Sequence, residues 1–195
     1  LLEHYGITVG NSLVMDDNCY VQRTSRQLGP SEQKIYYAPV IQGAAINSSH
    51  PSLSNIRSLV GVALSPLAID EQHLKEHGIT AELLFSSSER SWEMHEPISL
   101  NPQFIRPPAS PDELRSFPLA YMLTGKFPSY FAGKPIPEMP RDDPGEEESR
   151  KGPGPDASAV EASVILASSE RPEYILLGAS SHMLADNVID AEGRG

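Results

Sequence analysis

Residues 118–131 (PLAYMLTGKFPSYF) constrain the fold of this chain more than any other stretch. Pro118 and Gly125 bracket a short run that is apolar on both alternating faces, the pattern of a buried strand. Gly125 then lets the backbone turn where other residues would be strained. Lys126 follows, and Phe127, Tyr130 and Phe131 are spaced around Pro128. Such aromatics are placed to cover a sheet end or to meet a partner.

Other runs read the same way. Residues 81–85 and 174–179 are predicted strands, residues 13–15 are strand-like, and residues 59–64 are the best core-strand candidate of the first half. Residues 35–41 are extended and aromatic-rich, with Pro39 marking an edge or a break. Residues 20–32 are polar and basic and are predicted to form a loop. Residues 1–5 read as the end of a helix that Gly6 stops, and residues 52–56 as a helical turn. Asp70 caps a predicted short helix that runs through His77 to a stop at Gly78. Ser110, Pro111 and Glu113 have the spacing of a helix start, kept short by Pro118. Residues 160–167 fit either a helix or a strand.

The whole chain, 1–195, is therefore expected to be one α/β domain with a modest core. The 18 prolines exceed the usual share, and 39% hydrophobic content is low for a globular chain, so much of the length should be loop. Residues 133–156 are rich in proline and acid and cannot bury enough apolar area to offset their ordering entropy; they are expected to form an exposed, mobile insertion.

The net charge of −11 argues against non-specific nucleic-acid or anionic-lipid partners. A single cysteine, Cys19, rules out an internal disulfide and is compatible with cytosol or periplasm. No apolar run reaches the roughly 20 residues that span a bilayer, and no signal peptide is visible. The chain starts without Met on what reads as mid-helix, so it is expected to be part of a longer protein.

No motif is a strong catalytic signal. Residues 178–182 (GASSH) invite comparison with a nucleophile elbow at Ser180 or Ser181, but the second glycine of that turn is missing, and serines capping a following helix explain them better. Cys19 with His50 or His182 is weighed against a packed thiol, and His73 with His77 against a solvated helix face lacking a third zinc ligand; in both the plain reading is preferred. Asp16, Asp17 and Asn18 cluster oxygens but lack calcium-loop spacing and read as a turn. No metal or cofactor is assigned. The most interesting polar loop is 86–92, where Ser88, Arg90 and Trp92 offer a hydroxyl, a charge and an indole at a strand end. Its alternative is structural, with serines satisfying the turn and Trp92 covering a sheet end.

Six pieces, taken in order, carry a family resemblance: residues 2–7 (LEHYGI), 13–16 (LVMD), His50 and Pro51 with Asn55 and Ile56, 83–88 (LLFSSS) with Ser91 and Trp92, 123–131 (LTGKFPSYF), and 175–181 (ILLGASS) with 184–187 (LADN). Together they resemble the auxiliary component of uncharacterised bacterial ABC transport systems, the family that includes the gliding-motility-associated accessory protein. The resemblance implies the later part of an extracytoplasmic (periplasmic) domain of the bacterial cell envelope, anchored by membrane helices outside this chain. It implies a three-layer α/β fold with a mainly parallel sheet, amidotransferase-like or flavodoxin-like, without catalytic residues. The implied role is non-enzymatic, as an accessory to the permease and ATPase of an ABC export system. Contact residues are then expected in the two strand-end segments, at Ser88, Arg90 and Trp92 and at Lys126, Phe127, Tyr130 and Phe131. A small-molecule or glycan domain with an amidotransferase-like cleft is the alternative, and a serine hydrolase the third reading.

Overall fold

A computed structural model of the chain describes residues 1–26, 29–132 and 167–180. A 3-10 turn, Leu2–Tyr5, ends at Gly6, whose φ of 68° is the left-handed conformation glycine adopts freely. The strands that follow are β1 (Ile7–Val9), β2 (Leu13–Asp16), β3 (Cys19–Arg26), β4 (Gly29–Gln42), β5 (Ser58–Val60) and β6 (Leu67–Ile69). A helix, α1 (Glu71–Glu76), precedes β7 (Thr80–Ser86), β8 (Ser91–Met94), β9 (Pro118–Gly125) and β10 (Glu173–Gly178). Asp70 caps α1 by accepting the His73 N–H at 3.0 Å, and Gly78 follows with φ 65°, as the spacing predicts.

The expected three-layer, mainly parallel α/β fold is overturned. The strands form small sheets, ordered β1-β6, β2-β8, β3-β4-β5 and β10-β9-β7, and every ladder between them is antiparallel. A parallel pair needs a crossover of a dozen or more residues, usually a helix packed on the sheet. Among the described residues the single α-helix has six residues, too short to cover a sheet face. Apolar runs identify buried strands but carry no information about strand direction.

β9 is the central strand of its sheet, as its pattern predicts. Leu119 and Leu123 are fully buried, and the cluster around them gathers Ile7, Leu64, Leu74, Leu84, Phe85 and Phe117. Gly125 closes β9, and its role differs from the expected turn. A Cβ there would stand 3.0 Å from the Gly78 carbonyl and from Ile79 Cα, so the missing side chain permits close approach of two backbones. Gly125→Ala is expected to destabilise the protein by about 1–3 kcal/mol, the usual range for overpacking. Urea denaturation checks this: an unchanged midpoint would show that the backbone at Gly78 yields.

Two further expectations change. The predicted loop at 20–32 is part of the β3–β4 hairpin, polar on both sides; Arg23 lies opposite Glu32, and their side chains bond at 3.0 Å. Cross-strand pairing supports such a ribbon without an apolar face. Its register jumps from Tyr20↔Ile35 to Cys19↔Pro39, a shift beside Pro39, but β4 runs through Pro39 unbroken as the middle strand of β3-β4-β5 and not as the expected edge or break. In the 59–64 run only β5 is strand. Val60 and Val62 are exposed, and the chain turns at Ala63, φ 51°, to deliver Leu64 to the core. The 133–156 insertion and the ambiguous segment, apart from Ala167, lie outside the described residues.

Candidate functional site

The loop that joins β7 to β8 is organised by a buried carboxylate. Asp16 ends β2 opposite Ser91 and is fully buried. Its Oδ1 accepts the Asn18 N–H at 2.8 Å and the Ser88 hydroxyl at 2.6 Å, and its Oδ2 accepts the Ser88 N–H at 2.8 Å. Ser88 Oγ in turn accepts the Arg90 N–H at 3.1 Å. With both oxygens given to these donors, Asp16 serves the turn rather than a cation. The neighbouring Asp17 carboxylate is ion-paired with both Lys34 and Arg90.

Thus two of the three residues singled out in this loop hold the loop itself. Ser88 binds Asp16, and Arg90 clamps Asp17 while its guanidinium stays largely in water. Trp92 is buried with Met15 and Ile105, its ring 5.4 Å from that of Tyr36. The second group behaves differently. Phe127 is buried edge-on to Tyr5 at 5.8 Å, and Tyr130 stands edge-on to His4 at 5.4 Å and to Phe131 at 5.3 Å. His4 Nε2 reaches the Pro128 carbonyl at 3.3 Å. Lys126 and Phe131 are exposed. The two groups pack into separate clusters, Trp92 in one and Phe127 in the other.

What the sequence reading missed is an open groove of about 560 Å³ beside β8. Trp92 and Glu93 form one side, with Arg106, Asp112, Glu113 and Arg115 around it. It exists because Ile105, 1% exposed, folds back onto Trp92, carrying the proline-rich stretch with it. Irregular, proline-rich residues give no periodic signal of such a return. Arg115 makes three contacts here, two of them to β8. Its N–H donates to the Ser91 carbonyl at 2.9 Å, its Nη2 donates to Glu93 Oε2 at 2.7 Å, and its guanidinium lies 4.7 Å from the centre of the Phe117 ring.

Glu93 also accepts the Ser12 hydroxyl at 2.8 Å. Burial pushes its pKa up, but the Ser12 and Arg115 hydrogen bonds and the Arg115 charge outweigh burial and hold it below the ordinary glutamate value. A group lowered by folding stabilises the fold above its unfolded-state pKa, and that contribution is lost as pH falls through the folded value. Arg115→Gln is therefore expected to raise the Glu93 pKa and to destabilise the protein by less than about 1 kcal/mol at neutral pH, since the arginine is solvent-screened. The deficit should shrink as the solution is acidified; NMR titration of the Glu93 carboxyl and urea curves at several pH values check both statements.

The other residues singled out from the sequence are placed as follows. Cys19 is a buried residue of β3, and burial, partly opposed by Lys34, raises its thiol pKa. His50 Nδ1 accepts the Ser52 N–H at 3.3 Å. His73 Nε2 donates to the His4 carbonyl at 3.0 Å and His77 Nδ1 to the His73 carbonyl at 2.9 Å. Ser180 lies just past β10, while Ser181 and His182 fall outside the described residues.

No curated protein and no solved structure matches the chain. A family model described as ABC-type uncharacterized transport system matches residues 1–192, nearly all of the sequence. The chain therefore belongs to that family, as an auxiliary component of an ABC transport system.

Proposed function

We propose that this chain is a non-catalytic protein-contact domain of an accessory subunit that works with an ABC permease and ATPase on the extracytoplasmic face of the bacterial inner membrane. Membrane attachment is assigned to helices outside this chain. The family match over residues 1–192 carries the reading. The geometry supports it: the polar side chains at the β7–β8 loop are engaged in holding that loop, and the nearby concavity is an open groove with charged walls. Open, mixed-charge surfaces suit protein contacts better than the enclosed, mostly apolar cavities that take small molecules. The exposed Lys126 and Phe131 offer a second contact surface. The alternative of an amidotransferase-like cleft loses its basis with the parallel sheet it required.

Purification of the natural full-length protein from native membranes in mild detergent tests the proposal. The expected result is co-purification of an ABC permease and ATPase in near-stoichiometric amounts. A protein that is soluble, or that leaves the membrane alone, would overturn it.

A further inference from the structure

We infer that the outer edge of β8 receives an extended, basic segment of a partner protein as an added strand. The inference rests on the protein-contact reading above and names the kind of partner segment involved.

The ladder itself shows the edge. In an antiparallel pair, backbone groups point alternately toward the partner strand and away from it. Ser91 points away from β2, because its carbonyl accepts the Arg115 N–H. Two residues on, Glu93 points the same way. Its ladder partner Val14 agrees, donating its N–H to the Leu64 carbonyl, on the side away from β8. Among the described residues nothing meets the N–H or the C=O of Glu93. They lie on the outer edge of β8, and Glu93 is also one of the residues that line the groove. Arg115 already occupies the edge at Ser91, so the open part begins at Glu93; an unpaired stretch of strand edge is a template for an incoming strand, whose main chain supplies affinity and whose alternate side chains supply specificity.

Charge selects the occupant. Arg115 is neutralised by Glu93, and the guanidinium of Arg106 is bonded to its own Ile105 carbonyl. Asp112 and Glu113 line the groove and enter no ion pair among the described residues. Two unpaired carboxylates thus stand against one guanidinium, within a chain of net charge −11. A lysine- or arginine-bearing strand is favoured both at contact and at long range.

The chain's one tryptophan, Trp92, lines the groove and reports on its occupancy. The probe is a short, end-blocked peptide alternating lysine and valine, titrated at physiological salt while Trp92 emission is followed. A saturable shift is expected. N-methylating every second amide of the peptide, in the frame that faces β8, should weaken binding about tenfold by removing main-chain bonds. The exposed-site double variant Asp112→Asn/Glu113→Gln should weaken it by a similar factor of about ten. Glu3→Gln/Glu71→Gln, at exposed acids outside the groove, should leave it unchanged. The inference is overturned by the absence of a saturable shift, by equal binding of a glutamate–valine peptide, or by indifference to either the methylation or the groove substitutions. If that happens while the full-length protein still brings out permease and ATPase, the edge assignment fails and the accessory role stands. If the full-length protein emerges alone, the accessory role fails, and the partner inferred here with it.

Discussion

Replacing Asp16 by alanine is expected to lower the unfolding free energy by roughly 3–5 kcal/mol, the loss seen when one side of a buried charged network is removed. The carboxylate is fully buried and accepts three hydrogen bonds. Two of the donors, the N–H groups of Asn18 and Ser88, belong to the backbone and cannot turn away to find water. They would be left without their partner at half-buried positions, and the β7–β8 loop would lose its attachment to the end of β2. Ser88→Ala removes the two hydroxyl bonds, the one given to Asp16 and the one accepted from the Arg90 N–H, and leaves the Ser88 N–H in place, so about 1–2 kcal/mol is expected. Asp16→Asn should fall between the two, because one amide oxygen can serve only part of the donor set. Urea denaturation with the slope held as a check on two-state behaviour gives all three values. An Asp16→Ala variant within about 1 kcal/mol of wild type would show that the network contributes little.

Leu123→Ala is expected to destabilise by about 2–5 kcal/mol, the range for emptying a buried leucine site. Leu123 is fully buried on β9, with Ala81 of β7 opposite it on one side and Ile175 of β10 on the other. Both neighbours are held by ladder bonds, which limits how far the site can collapse. The comparison is Leu176→Ala on β10, where the side chain is 65% exposed and a change within about 0.5 kcal/mol is expected. Near-equal losses at the two positions would contradict the placement of β9 as the central strand.

Much of the local structure was legible from residues alone. The strands at 81–85, 118–125 and 174–179, the cap at Asp70 and the stops at Gly6 and Gly78 all follow from short-range patterns. Residues 35–41 of β4 also read as extended, but the polar part of the β3–β4 hairpin at 20–32 did not, because it carries polar residues on both sides and leaves no alternating signal. The 59–64 run misled for the opposite reason: Val60 and Val62 are apolar yet exposed, while Leu64 is fully buried in the core. For the candidate site, Trp92 was found by composition, but its neighbours Arg106, Asp112 and Arg115 come from a stretch with no period to read.

The sequence by itself determined the apolar strands at 81–85, 118–125 and 174–179, the glycine stops and the Asp70 cap, and that a family signature runs through it. These depend on each residue's own conformational range and on neighbours a few positions away. Only the tertiary structure decided that the strands pair antiparallel, that Ser88 bonds Asp16, and that Glu93 lines a groove beside Arg115. Each of these depends on which distant segment arrives alongside, and an apolar run or a serine looks the same in sequence whichever partner meets it.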